Sequence, residues 1–260
     1  MIVFHTDLDN TLIYSHKYDI GQDRICAEIY QGREISFITR ETFLLLQQLK
    51  RLEDQVLIVP TTTRTIEQYQ RIDLGVGGFR YALVCNGGVL LVDGKEDEGW
   101  YMESLERIKG SKKMLHTALE FLEKEKRRCF ELRFIKELFV FTKCEDPESV
   151  VSDLRKRIDA DVVDVFHNGL KVYAVPKTLG KGEAVKRFRK YAGADYVAAA
   201  GDSEFDISML EAADYGIAAP ELAQRYHFSS KVKCPSAEKL YAEAALATVL
   251  QISANRQLKY

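Results

Sequence analysis

MIVFHTDLDNTL, residues 1–12, passes from an apolar run into two aspartates one residue apart, with Asn10 and Thr11 directly behind them. The run reads as a buried strand. Carboxylates are rarely buried without a partner, because desolvating a charge costs far more than one hydrogen bond returns. Asp7 and Asp9 at the end of such a strand therefore predict a cationic group beside them.

Working outward, helix-like and strand-like segments alternate: RETFLLLQQLKRLE at 40–53, VLIVP at 56–60, TIEQYQRI at 65–72 and YALVC at 81–85. With the first strand this is βαβαβ, the order of a parallel sheet flanked by helices. Between Thr11 and Arg40, RICAEIY and REISFIT flank Gln31-Gly32 and predict a β-hairpin over the carboxyl end of the first strand. From about residue 100 the pattern changes to a long helix at 103–127, strands around Lys136-Glu137, a helix at 147–158, and strands around His167-Asn168-Gly169. This αββαββ unit predicts one open sheet with two helices on one face. The parallel rhythm resumes with a helix at 181–191, a strand at 196–200, a helix at 203–213, a strand at 215–219 and a terminal helix from about 236 to 252. The expected organisation is α/β: a Rossmann-like core of residues 1–89 and 178–260, interrupted by an α+β module at 90–177.

Composition narrows the function. Lys plus Arg total 37 against 39 for Asp plus Glu, so no general field favours nucleic acid or an anionic membrane. Five cysteines without a CxxC pair argue against a disulfide framework and against a zinc site. No basic leader and no long apolar span is present, and a reducing cytoplasm is the expected compartment. The sequence carries no signal of oligomeric state.

In an open parallel sheet, ligands bind beyond the carboxyl ends of the strands. DLDNT (7–11), TTTR (61–64) and GDSEFD (201–206) all fall there, and Lys181 stands where the chain re-enters the core. Asp202 and Asp206, spaced i, i+4 at a helix start, can share a helical face and present oxygen ligands together. Hard oxygen ligands suit Mg²⁺, and a lysine with Thr hydroxyls at a helix N-terminus suits a phosphate. An Asp nucleophile can attack phosphorus to give an aspartyl-phosphate, and Asp9 can protonate the leaving oxygen and then deprotonate water. Mg²⁺ and Lys181 would offset the repulsion between two anions.

These residues resemble the motifs of the haloacid dehalogenase-like phosphatase superfamily. Its DxDx(T/V) motif is matched by Asp7, Asp9 and Thr11, its second motif by a Thr of 61–63 with Arg64, its third by Lys181 and its fourth by Asp202 and Asp206. The module between the second and third motifs resembles the cap of the Cof-type and sucrose-phosphatase-like branch, and VCNGGVLL (84–91) resembles the segment leading into that cap. The resemblance implies Asp7 as nucleophile and Asp9 as acid/base and as a Mg²⁺ ligand through its backbone carbonyl. It implies Asp202 and Asp206 as side-chain ligands, with Asp7 at the metal, and Lys181 touching nucleophile and phosphate. Thr62, Thr63, Arg64 and Asn86 are the implied phosphate and substrate contacts. Thr61, Thr62 and Thr63 compete for the phosphate, the T-G-R form of the motif aligns Thr62, and one of the three is expected to cap the following helix. Asn10 stands where Gly is usual, and the hairpin at 20–39 is longer than the branch shows.

The expected activity is Mg²⁺-dependent hydrolysis of a small phosphorylated metabolite, a sugar or polyol phosphate, with no nucleic-acid or membrane partner. A phosphomutase-like phosphotransferase shares the motifs, and a non-catalytic binding protein is the alternative from another class. Arg133, Lys136, His167 and Asn168 are candidate substrate contacts in the module, which is expected to move as a rigid unit. His5 and Cys85 are read as core residues. A lysine in the first turn of a helix opposes the dipole, which favours a functional reason for Lys181.

Overall fold

The protein is described from a computed structural model covering residues 1–236 and 238–257. β1 (Ile2–Thr6) is buried along its whole length. A tight loop follows in which the Leu8 carbonyl accepts the amides of Thr11, Leu12 and Ile13. The chain then forms β2 (Tyr14–Ser15), β3 (Arg24–Tyr30) and β4 (Arg33–Thr39). Gln31 and Gly32 join β3 to β4 with φ of 50° and 73°, the left-handed pair that a two-residue hairpin loop needs. Thr39 caps α1 (Arg40–Lys50) by accepting the Thr42 amide. β5 (Val56–Pro60) and the short α2 (Ile66–Tyr69) follow, then β6 (Tyr81–Val84), β7 (Val89–Val92) and β8 (Lys95–Glu96).

The inserted module begins with α3 (Glu98–Arg107) and α4 (Lys112–Glu123). The single helix expected at 103–127 is thus two, broken by a 3₁₀ turn at Lys109–Ser111 around Gly110, a residue that costs helix stability. β9 (Arg133–Ile135), β10 (Phe139–Lys143), α5 (Pro147–Arg155), β11 (Val163–Asn168) and β12 (Lys171–Pro176) complete it. The four strands form an antiparallel sheet in the order β11-β12-β10-β9. Both α4 and α5 lie against this sheet.

The chain returns through α6 (Lys181–Ala192), β13 (Tyr196–Gly201), a 3₁₀ turn at Glu204–Asp206, α7 (Ile207–Ala212), β14 (Tyr215–Ala218), α8 (Pro220–Arg225), β15 (Val232–Lys233) and α9 (Tyr241–Gln257). The last helix starts later than the sequence pattern suggested, and residue 237 of that expected span lies outside the described residues. The central sheet is wholly parallel, in the order β15-β14-β13-β1-β5. β1 sits between β13 and β5, which explains why it is buried on both faces and why Ile2, Val3 and Phe4 are all apolar. Pro60 stands at the end of the edge strand β5, where a missing donor is tolerated.

YALVC does not join this sheet as a further parallel strand. Only one parallel bridge, Thr61 to Leu83, links β6 to the end of β5. The reason lies in the next turn: Cys85, Asn86 and Gly87 have φ of 52°, 59° and 84°, which sends the chain straight back as β7 in an antiparallel hairpin. The chain divides into two compact units, Met1–Glu96 with the segment from Lys181 onward, and Asp97–Gly180. The boundary falls later than the expected residue 90 because β7 pairs with β6 and β8 pairs with β7. Among the described residues no helix is long and apolar enough to cross a membrane.

Candidate active site

The amide of Asp7 continues the β1–β13 ladder by donating to Ala200 O at 3.0 Å, so its side chain emerges where the two central strands end. The cation predicted beside it is Lys181, the first residue of α6. Its Nζ donates to Asp7 Oδ1 and to Asp206 Oδ1, each at 2.6 Å, and only 1% of the residue is exposed. Burial works against the ammonium charge, but Asp206 and Asp7 overcome it and hold the group charged beyond the usual lysine range. For Asp7, burial raises the carboxyl well above its ordinary value; Lys181 opposes this, while Asp206, Asp202 and Asp9 add to it. Asp202 is pushed up to about 7 by burial and by Asp206.

Oxygens of Asp7, Asp202 and Asp206 lie within 4.8 Å of one another. Three carboxylates against one ammonium leave the cluster short of positive charge, and all of its donors are hard oxygens. This set fits a hard divalent cation. Asp206 Oδ2 is filled by three donors, the amides of Asp202 and Ser203 at 3.1 and 2.9 Å and Ser203 Oγ at 2.8 Å, which leaves Oδ1 facing the cluster. Asp202 and Asp206 are therefore not two positions on one helical face, as their spacing suggested. Asp202 precedes the 3₁₀ turn, and the Asp206 carboxylate folds back to gather the loop.

Glycine fixes this geometry at two places. A Cβ on Gly201 would stand 2.3 Å from Asp206 Cβ, and one on Gly182 would stand 2.5 Å from Ser208 O. Asp202 is also held from the β1 side, by Thr11 Oγ1 at 3.1 Å and by Asn10 Nδ2 at 3.4 Å. Asn10 has φ of 56°, a left-handed conformation that Asn tolerates.

Asp9 points elsewhere. Arg64 clasps it with two bonds, Nε to Oδ2 at 2.8 Å and Nη2 to Oδ1 at 2.7 Å. Arg64 Nη2 also meets Glu28 Oε2 at 2.9 Å, and Nη1 donates to Gln68 O at 3.2 Å. Of the three threonines, Thr61 turns inward to Val59 O and His5 Nδ1, Thr62 is buried with its Oγ1 accepting the Arg64 amide, and Thr63 is half-buried. None of them caps α2. Thr65 does, in a reciprocal capping box with Gln68. Asn86 donates its amide to Thr62 O at 2.9 Å, and its buried Oδ1 has no hydrogen-bond partner. His5 is buried, and burial takes its imidazole down to about 3, so the ring is neutral.

The structure thus brings Asp7, Lys181, Asp202 and Asp206 together, sets Asp9 with Arg64 beside Thr62, and ties Asn86 to Thr62 through the backbone. Arg133, Lys136, His167 and Asn168 lie in the Asp97–Gly180 unit; Lys136 Nζ is 4.5 Å from the Tyr101 ring centroid, and His167 Nδ1 is 3.3 Å from Gly169 O. Glu28 is the residue that pattern reading missed. Its only sequence signal is a lone acid among the apolar positions of RICAEIY.

The sequence pattern of the haloacid dehalogenase-like hydrolases matches residues 86–226, more than half of the 260, and takes in Lys181, Asp202 and Asp206. No curated protein matches the chain by sequence. Among solved structures, a sucrose-phosphatase from Synechocystis sp., in complex with sucrose and phosphate, is similar with a TM-score of 0.66 and 18% identity, covering 96% of this chain and 97% of that one. A HAD subclass IIB sugar phosphatase has a TM-score of 0.61 and 12% identity, covering 97% and 99%. A HAD phosphatase from Bacteroides thetaiotaomicron has a TM-score of 0.55 and 13% identity, covering 97% and 94%. At these identities the likeness is one of fold, and it extends through the inserted module. With the matched pattern and this fold together, the chain belongs to the haloacid dehalogenase-like hydrolase family.

Proposed function

We propose that the protein is a Mg²⁺-dependent phosphatase that hydrolyses a small phosphorylated metabolite, of the sugar phosphate class, through an aspartyl-phosphate on Asp7. The observation that carries this reading is the Asp7 carboxylate at the end of the central strand, with one oxygen held by Lys181 inside a group of three carboxylates. The names of the similar structures, a sucrose-phosphatase and a subclass IIB sugar phosphatase, support the substrate class.

Asp7 attacks phosphorus through its second oxygen, and Lys181 keeps the first turned aside while presenting a positive charge toward the phosphoryl oxygens. Asp7, Asp202 and Asp206 would hold Mg²⁺, with the Asp9 carbonyl, and the bound ion supplies charge that offsets repulsion between nucleophile and phosphate. Thr62, Thr63 and the Asn86 amide group bind phosphate or substrate beside Arg64. Asp9 gives its proton to the departing oxygen, then takes one from the water that hydrolyses the acyl phosphate.

A panel of phosphorylated metabolites, read as free phosphate with Mg²⁺ and with a chelator, tests this. Turnover should require Mg²⁺, favour sugar phosphates and vanish in a folded Asp7→Asn variant. Full activity in chelator, or rapid turnover by Asp7→Asn, would overturn it.

A further inference from the structure

We infer that Glu28, in the hairpin after β1, is a positioning residue for the acid/base Asp9, acting through Arg64. The inference rests on the phosphatase reading and assigns a role that the family motifs do not contain. Glu28 belongs to β3, where strict alternation would give Ala27 and Glu28 opposite faces. Both are buried instead, at 1% and 2% exposure. The β3–β4 register explains how. Cys26 pairs with Phe37, Glu28 with Ser36 and Ile29 with Glu34, so Ala27 is an extra residue on one strand and Ile35 on the other. Such bulges re-aim side chains, and this one turns a carboxylate inward. Asp73 N donates to Ala27 O at 2.9 Å, and Glu28 bridges to Ile72, which fixes the bulge against the segment after α2.

The buried carboxylate is fully engaged. Oε2 accepts from Arg64 Nη2 at 2.9 Å and from Ser36 Oγ at 3.1 Å, and Oε1 accepts from Arg71 Nε at 3.0 Å. Arg71 is itself stacked over Tyr30, 4.7 Å from the ring centroid. Arg64 is thereby anchored on its inner side by Glu28 and by Gln68 O, and its outer edge, Nε and Nη2, is presented to Asp9. A planar guanidinium held at two points sets the plane and distance of whatever carboxylate it clasps. Asp9 is half-exposed, with a side-chain exposure of 51%, so burial does little to fix its direction, whereas two bonds from Arg64 do. The relay Glu28–Arg64–Asp9 carries the position of a buried strand residue to the rim of the site.

In the first chemical step, the bond from Asp7 oxygen to phosphorus forms as the bond from phosphorus to the ester oxygen breaks. The electron pair of the broken bond stays on that oxygen and takes the proton from Asp9. For this step one Asp9 oxygen gives up its Arg64 bond to carry the proton while the other keeps its bond to Arg64. A misplaced Asp9 harms this step only when the leaving oxygen needs the proton. An alkoxide leaving group does; a dinitrophenolate does not.

The test compares kcat/KM, with Mg²⁺, for a primary alkyl phosphate and for 2,4-dinitrophenyl phosphate in the full-length native protein and in Glu28→Gln. The alkyl ester should lose about 100-fold and the aryl ester less than about threefold, because general acid catalysis contributes on that scale. Glu28→Asp, which keeps the charge but retracts it by one methylene, should show the same split and serves if Glu28→Gln does not fold. Arg71→Gln, which leaves the Glu28–Arg64 bond in place, should not change the ratio of the two esters. Equal losses for both esters in a folded variant would make Glu28 purely structural, and no loss for either would also overturn the inference. A native protein that hydrolyses neither ester would instead refute the phosphatase reading, and the inference with it.

Discussion

Gly201 closes β13 at the point where its backbone meets Asp206, the carboxylate that gathers the loop at Asp202 and Ser203. Its amide donates to Tyr241 Oη at 2.9 Å, so the residue is fixed from α9 as well and has no room to shift. Gly201→Ala should therefore push Asp206 off Lys181 and Ser203. We expect kcat/KM to fall about 100-fold or more, as for loss of an electrostatic donor, with a cost of about 1–3 kcal/mol in stability. Phosphate-release kinetics and urea denaturation check this, and near-native turnover would show that Asp206 tolerates displacement. Lys181 teaches a related lesson. Its sequence position predicted a charge at odds with the dipole of its own helix, and the conflict is resolved by two carboxylates from β1 and the motif after β13.

At the scale of elements, the β3–β4 hairpin is stapled to the core through ion pairs of unequal exposure: Glu28 is 1% exposed at its side chain, Arg64 12% and Arg71 30%. Burial pushes the Glu28 carboxyl upward, but the bonds from Arg64, Arg71 and Ser36 win and hold it below the usual glutamate range. A depressed folded value means that the stabilisation is complete above the unfolded value and is lost as pH falls through the folded one. At neutral pH, Glu28→Gln should cost about 3 kcal/mol, the low end for breaking a buried pair. The gap from the native protein should close as pH drops below about 4.5. Denaturation curves at pH 7 and through the acid range measure it, and a gap independent of pH would contradict the assigned charge. The same hairpin marks where the sequence is legible and where it is not. Gln31-Gly32 announces its turn, since that loop needs left-handed residues. Its bulges are silent, because Ala27 and Ile35 look like ordinary strand residues and only pairing reveals them as extra. β1 was readable because burial on both faces leaves the apolar run Ile2, Val3 and Phe4. β6 was misread because a strand of the same composition serves a hairpin as well as a sheet, and the choice is made by three left-handed residues after it. The i, i+4 acids suggested the right partners through the wrong geometry.

At the scale of the whole molecule, the unit Asp97–Gly180 has its own sheet, its own helices and buried residues such as Leu115, Val140, Val151 and Ala174. We propose that this unit carries substrate selectivity. Replacing it with a short Gly/Ser linker should leave slow, Mg²⁺-dependent hydrolysis of a nitrophenyl phosphate while discrimination among sugar phosphates collapses. A trimmed protein that still prefers one natural ester as strongly as the intact chain would move selectivity to the core. The order of the central sheet bears on how such a chain is made. During synthesis β1 emerges before both of its neighbours, and one of them, β13, is paired at Ile2↔Tyr196 and so arrives only much later. At ordinary translation speeds the ribosome takes roughly 10–40 s to cover that interval. For all of it, β1 has an open hydrogen-bonding edge, and Asp7 waits for the lysine that will neutralise it. A nascent chain of this protein is therefore prone to mispairing until β13 has emerged, and it gains from whatever shields the apolar strand β1.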